Sequence, residues 1–258
     1  MFNLLKKFDT IWLTELNATM SLMDRIEYKY IAHISQLEDI LKDFKSDYFA
    51  LQIKEIRQFL YHNVYFDTKD YKFFHEHGKG FKMRTKLRTR RYVDSNISFF
   101  EFKQRYYENI RKFRYDIKNK NHGKYDKKAE KFAQKLYQST YQKKLDNTPT
   151  PSIKTHYYRF TLCSKNNDER ITFDSKVTFK DCRNKKARPI ILWDIVLIES
   201  KSWKDKHHAT DVLAKHNIQP MNGISKYCMG ITLLWAEKTQ YKRFEDILSH
   251  IQTLQINS

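Results

Sequence analysis

Cysteine is scarce in this chain: Cys163, Cys182 and Cys228 are three among 258 residues, far apart and odd in number. With no Cys-x-x-Cys pair they supply neither a disulfide framework nor a zinc site, and they read as free buried thiols of a protein kept in a reducing cytoplasm. The 5 glycines and 4 prolines exclude a collagen-like or linker-dominated architecture. No run of about 18 apolar residues occurs, so no segment reads as a membrane span. Lys6, Lys7, Asp9 and Glu15 break up the stretch where a signal peptide would need its apolar core. No internal repeat or Gly/Ser-rich linker marks a boundary, and residues 1–258 read as a single domain with ample length for a core. Acidic residues are also short: 30 Asp and Glu face 49 Lys and Arg, a net charge of +19.

What is present is aromatic, apolar and basic. Aromatics make up 15% and hydrophobic residues 40% of the chain, which excludes disorder. An excess of +19 repels itself and calls for an anionic partner: nucleic acid, an acidic membrane surface or phosphate compounds. The excess is concentrated. Between Lys79 and Lys128 there are 17 Lys and Arg against 5 Asp and Glu.

The hydrophobic spacing predicts short helical segments over 4–24, then a helix over 35–45 that Ser35 and Glu38 open as a capping box. A strand follows over 57–67, and Asp67 or Thr68 caps a helical turn over 69–75. Period-two runs then cover 80–92, 97–107, 109–117, 155–164, 169–180 and 190–201. Within a helical insertion at about 119–150, Tyr125, Ala129, Phe132, Leu136 and Tyr137 predict one helix over 124–145. Further helices are expected over 207–216 and 224–234, with a C-terminal one over 240–255. So many consecutive strands predict an α+β fold: an antiparallel sheet or barrel with helices attached outside.

Residues two apart on a strand share a face. Lys82, Arg84, Lys86, Arg88 and Arg90 therefore project together, opposite Phe81, Met83 and Leu87. Glu101, Lys103 and Arg105 repeat the pattern, as do Lys112 with Arg114, and Arg170 with Thr172, Asp174 and Lys176. Glu199 and Lys201 close one run; Arg25, Glu27 and Lys29 form another near the start. Like charges on neighbouring strands repel unless an anion lies between them. Closing such a sheet would line a lumen with these charges. Glu27, Glu101 and Glu199 sit on the cationic faces, where a nucleic-acid surface gains nothing from them. A metal–phosphate complex does gain, because carboxylates hold Mn²⁺ or Mg²⁺ while Lys and Arg hold phosphate oxygens. The alternative is that each Glu only pairs with a neighbouring cation. Lys86 and Lys201 share these faces and are read as further phosphate ligands.

At these residues the sequence resembles the catalytic domain of the vacuolar transporter chaperone (VTC) family, within the triphosphate tunnel metalloenzymes. The matching pieces are Met23-Asp-Arg25-Ile-Glu27-Tyr-Lys29-Tyr30, Tyr65-Phe-Asp-Thr68, Lys86-Leu-Arg88-Thr-Arg90-Arg-Tyr92 and Phe100-Glu101-Phe-Lys103. Tyr158-Arg159, Arg170-Ile-Thr-Phe-Asp174, Ile198-Glu199-Ser-Lys201 and Ser225-Lys226-Tyr227-Cys228 follow in order. The resemblance implies an antiparallel β-barrel forming a basic tunnel, in which ATP is used to extend inorganic polyphosphate with a divalent metal. It implies Lys29, Arg88, Arg90, Lys103, Arg159 and Lys226 as the catalytic cations, Lys112, Arg170 and Ser225 as further phosphate ligands, and Glu199 as the metal carboxylate. Asp67 and Asp174 fall at structural positions. Gly223 departs from the family, which often carries a lysine there. Arg25-x-Glu27-x-Lys29 departs from the Glu-x-Glu-x-Lys of the wider superfamily, in agreement with the VTC branch. A product that must cross a membrane would need a partner protein. A tripolyphosphatase or nucleoside triphosphatase with the same tunnel, and a non-catalytic polyphosphate-binding module, are the alternatives.

Overall fold

The computed structural model describes residues 2–19, 26–107, 109–166, 168–203, 208–235 and 241–256. Arg25 and residues 20–24 of the expected helical lead lie outside the described residues. The chain runs through α1 (Phe2–Leu5), β1 (Asp9–Trp12), α2 (Leu13–Thr19), β2 (Ile26–His33), α3 (Leu37–Phe44), β3 (Tyr48–Gln52), β4 (Phe59–Asp67) and α4 (Lys72–Gly78). It continues through β5 (Met83–Tyr92), β6 (Ile97–Tyr106), β7 (Asn109–Ile117), α5 (Lys127–Tyr141), β8 (Thr150–Ser164) and β9 (Glu169–Asp181). It ends with β10 (Ile190–Leu192), β11 (Ile195–Ser202), α6 (His208–Lys215), α7 (Lys226–Leu234) and α8 (Lys242–Ile256).

The fold is α+β around one large sheet, ordered β2-β11-β9-β8-β4-β5-β6-β7 with antiparallel pairing throughout that path. Its ends, β2 and β7, do not pair, so the sheet curls like a barrel without closing. The expected single strand over 190–201 divides into β10 and β11.

The expected helical lead contains a strand. Asp9–Trp12 pairs in parallel with β3, burying Ile11 with Leu16, Leu51, Phe59 and Cys163. A partner some forty residues away overrides local helical spacing here. The cap near residue 35 also differs. His33 is the capping residue: its Nδ1 accepts from Ser35 N, and Gln36 Oε1 accepts from His33 N. Ser35 lies inside a 3-10 turn, and α3 begins at Leu37. Asp67 and Thr68 do hold the start of α4, but the helix begins at Lys72. Asp67 Oδ1 and Oδ2 accept from Phe73 N and Phe74 N (both 3.0 Å), and Thr68 Oγ1 accepts from Lys72 N.

Helices cover the outer face where the strands present apolar residues. The α3 stripe of Leu37, Ile40, Leu41 and Phe44 is fully buried against Phe160, Leu162, Ile171, Phe173 and Val196. Asp126 caps α5 by accepting from Ala129 N, and Ala129, Ala133 and Tyr137 pack on Leu87, Phe100 and Phe102. The inner face is divided. Its charged half lines a cavity. Its apolar half, with Ile31, Ile153, Phe179, Ile195 and Leu197, packs against α7 and α8. Helix α7 thus sits within the curl rather than outside it. Cys163 and Cys228 are buried, whereas Cys182 is only half-buried.

Candidate functional site

One cavity of about 650 Å³ is lined by side chains from all eight strands of the main path and by the start of α7. Alternation puts Glu27 and Lys29 of β2 beside Glu199 and Lys201 of β11, because the two strands pair Glu199 with Lys29 and Lys201 with Glu27. The β5–β6 register places Lys86 opposite Lys103 and Arg88 opposite Glu101, and β7 adds Lys112 opposite Lys103. Arg159 and Asp174 enter as a directly paired couple from β8 and β9. Ser225 caps α7 by accepting from Cys228 N, which brings Lys226 and the positive end of the helix to the cavity.

Every predicted site residue except Arg170 lines this cavity. Arg170 sits one position further out, opposite Lys201. Arg84 and Arg105 continue the basic faces beyond the lining. Arg114 stacks on the Phe99 ring at 4.4 Å. The alternation through Thr172 and Asp174 breaks at Lys176, whose backbone is left-handed (φ 50°) and whose ammonium turns out toward Trp193. Asp174, placed by the resemblance at a structural position, also lines the cavity. Two tyrosines that carried no charge signal belong to it as well. Tyr157 Oη accepts from Arg90 Nη2 (3.2 Å), and Tyr65 Oη accepts from Arg88 Nη1 (3.2 Å). Tyr157 alternates with Arg159 on β8, the only mark that could have shown it in the sequence.

Three ion-pair groups set the electrostatics. Glu101, 2% exposed, receives Arg88 Nε and Nη2 at 2.6 Å and has Lys112 at 3.7 Å and Arg90 at 4.0 Å. Burial pushes its carboxyl up, but Arg88, Arg90 and Lys112 outweigh it and hold the group below the usual carboxylate range. Asp174 receives Arg159 Nε at 2.5 Å and Nη2 at 2.7 Å, and it also contacts Lys226. Against burial, these cations bring it down to about 2. Glu27 lies 2.6 Å from Lys29 and 3.8 Å from Lys201, and Glu199 contacts both ammoniums. Burial raises Glu27, and Lys29, Lys201 and Lys103 more than reverse this.

Burial works on the lysines in the opposite direction, whereas Arg88, Arg90 and Arg159 stay above the ordinary arginine range beside Glu101, Tyr157 and Asp174. Burial brings Lys86 down to about 7 and Lys112 to about 8, and it takes Lys201 well below the ordinary lysine range. Lys86 Nζ donates to Ser225 Oγ at 2.8 Å. So much desolvated positive charge, with carboxylates that only partly offset it, is suited to a multiply charged anion.

Glu27 and Glu199 are also the donor set a divalent cation would use. They sit on paired strands and on one face, within reach of the same two ammoniums. Among the described residues no three His, Cys, Asp or Glu side chains form a cluster that could hold a metal. Two carboxylates completed by phosphate oxygens suit Mg²⁺ or Mn²⁺. Glu101 gives its Oε2 to Arg88, and its buried Oε1 makes no hydrogen bond and has Lys112 at 3.7 Å, so one oxygen of this third carboxylate stays open to the cavity. Among the described residues no helix is long and apolar enough to cross a membrane.

No curated protein shows significant similarity to the chain. Among solved structures, a candidate adenylate cyclase from Vibrio parahaemolyticus aligns at 10% identity over 80% of this chain and 97% of its own, with a TM-score of 0.44. A candidate adenylyl cyclase from Hippeastrum, described as having a dominant triphosphatase activity, aligns at 11% identity over 81% and 96%, with a TM-score of 0.49. Both TM-scores lie below 0.5, too low to carry weight. The sequence model of the VTC domain, by contrast, matches residues 24–235, which span β2 through α7 and every side chain of the cavity. The chain belongs to the VTC domain family.

Proposed function

We propose that the protein is a polyphosphate polymerase that transfers the γ-phosphate of ATP onto the end of an inorganic polyphosphate chain. The observation that carries this reading is the convergence of cations from β2, β5, β6, β7, β8, β11 and α7 on one cavity, beside the Glu27–Glu199 pair. In the reaction, a terminal oxygen of the chain forms a bond to the γ-phosphorus. The bond from that phosphorus to the β–γ bridging oxygen breaks, ADP leaves, and the chain is one phosphate longer. The attacking oxygen is already anionic, so no general base is needed, and the protein's task is to position the reactants and neutralise charge.

Arg88 and Arg90 hold the triphosphate with Lys29 and Lys103; Arg88, whose Nε and Nη2 are given to Glu101, acts there mainly by charge. Glu101 and Tyr65 orient Arg88, while Asn63 Oδ1 and Tyr157 orient Arg90 through Nε at 2.9 Å and Nη2. Arg159 is committed to Asp174 through two donors, so it steers the chain mainly by charge, together with Lys226. Lys86, Lys112, Lys201 and the Ser225 hydroxyl add phosphate contacts, and Arg170 one further out. A Mn²⁺ or Mg²⁺ held by Glu199 and Glu27 would neutralise charge on the transferring phosphate.

The test is to incubate pure protein with ATP and Mn²⁺ or Mg²⁺ and resolve free phosphate from polymer. Metal-dependent polymer that exopolyphosphatase digests is expected. Free phosphate alone, with every divalent metal tried, would favour the hydrolase. Tight chain binding without turnover would favour the binding module.

A further inference from the structure

The cationic face of β5 does not stop where the cavity does. Arg84 follows Lys86 on the same face and pairs across the sheet with Arg105, just as Lys86 pairs with Lys103. A third guanidinium arrives from the far end of the chain. Arg243, in the first turn of α8, donates from Nη1 to the His77 carbonyl at 3.1 Å. Two glycines flank it at van der Waals distance. The arginine stem lies 3.5–3.7 Å from where a Gly223 side chain would begin, and its guanidinium lies 3.7–3.9 Å from the same point on Gly80. Gly223 holds φ at +86°, a conformation that glycine adopts without strain. Beside this residue, which has no cation of its own two positions before the Ser225 cap, α8 places one.

The three arginines are close enough to act on each other. Burial lowers the Arg84 pKa, and repulsion from Arg105 and Arg243 lowers it further. His77, stacked on Phe244, is kept neutral by burial and then by Lys86, Arg84 and Arg243. All three arginines remain partly open to solvent. Arg84 Nη1 donates to the Phe81 carbonyl at 3.3 Å and Arg105 Nε to the Tyr107 carbonyl at 2.6 Å, which holds both side chains at the rim. Guanidinium is the group best matched to phosphate oxygens.

We infer that Arg84, Arg105 and Arg243 form a phosphate subsite outside the cavity, which holds the part of an inorganic polyphosphate chain that extends past Lys86. The inference rests on the polyphosphate reading of the cavity. The subsite discriminates by length: a triphosphate bound among the cavity cations does not reach it, whereas a long chain engages both. Helix α8 acquires a role in substrate binding through a single side chain.

The experiment measures the affinities of inorganic tripolyphosphate and of a long inorganic polyphosphate of defined length by titration calorimetry. The proteins are the wild type, the double variant Arg84→Gln/Arg243→Gln, and Arg243→Lys. The double variant is expected to bind the long chain about tenfold or more weakly, the scale of losing charge-assisted phosphate contacts. Its tripolyphosphate affinity is expected to change less than about twofold, a small fraction of one such contact. Arg243→Lys, which keeps the charge, retains most of the long-chain affinity. Equal losses for both ligands, or no loss for either, would overturn the subsite. Arg243→Gln alone is read the same way if the double variant does not fold, with circular dichroism as the control. Wild-type protein that binds neither ligand would instead bring down the reading of the cavity, and the subsite with it.

Discussion

Burial holds the Lys86 ammonium at about 7 and Lys112 at about 8, so near neutral pH part of the cavity's positive charge is absent until an anion arrives. A bound phosphate favours the charged form and raises both values. Above the free-state values, binding must therefore take up protons, and affinity falls as pH rises. We expect tripolyphosphate affinity to weaken from pH 7 to pH 9, with a binding enthalpy that depends on the buffer's ionisation heat. Lys86→Gln should flatten part of that slope; an affinity constant from pH 6 to pH 9 would contradict the assignment.

Asp174 behaves in the opposite way. Its carboxyl is depressed to about 2 from an ordinary 3.8, so it contributes stability above pH 4 that is lost as pH falls toward 2, on the order of 2 kcal/mol. Replacing it strands two half-buried cations, Arg159 and Lys226. Asp174→Asn is expected to cost about 3–5 kcal/mol in urea unfolding at pH 7 and to lose the acid-dependent part of the curve. A cost below about 1 kcal/mol, the surface-pair range, would show that the pair is not buried as described.

The helix that presents Ser225 and Lys226 depends on a close approach. At Gly230, a Cβ would lie 2.5 Å from Ile153 Cδ1 and 2.6 Å from the Phe179 ring, so α7 sits against the sheet only because that side chain is missing. Gly230→Leu should overpack this contact, cost about 1–3 kcal/mol and weaken phosphate binding by displacing Lys226. Unchanged stability and binding would mean that α7 does not seat the cation.

Period two made most of the strands legible, and with them the residues of the cavity, since alternate charges in β2, β5, β6 and β11 point inward together. The rest depends on distant pairing. β1 is four residues with a partner at β3, which no local pattern marks. Ser35 looks like a cap but loses to His33, whose imidazole takes the backbone N–H instead. That α7 lies inside the curl, and that Tyr65 and Tyr157 orient arginines, follows from the curvature of the sheet and from contacts across it. The bulge at Lys176 turns a cation outward against its own alternation.

At the scale of the molecule, a net charge of +19 is a steady repulsion that the fold concentrates rather than disperses. An anion that binds only the folded state relieves it. At a hundredfold excess over its dissociation constant, tripolyphosphate should add about 2.7 kcal/mol, or roughly 5–10 °C in Tm for a chain of this size. A matched concentration of single-stranded nucleic acid should raise Tm less, and a larger rise with nucleic acid would point to a different partner.

The central claim is that a phosphate chain, not water, attacks the γ-phosphorus. Running the reaction with ATP, Mn²⁺ or Mg²⁺ and inorganic polyphosphate in water labelled with heavy oxygen decides it by mass spectrometry. The account predicts polymer that lengthens without taking up the label. Label appearing in free phosphate, with no lengthening of the chain, would contradict it.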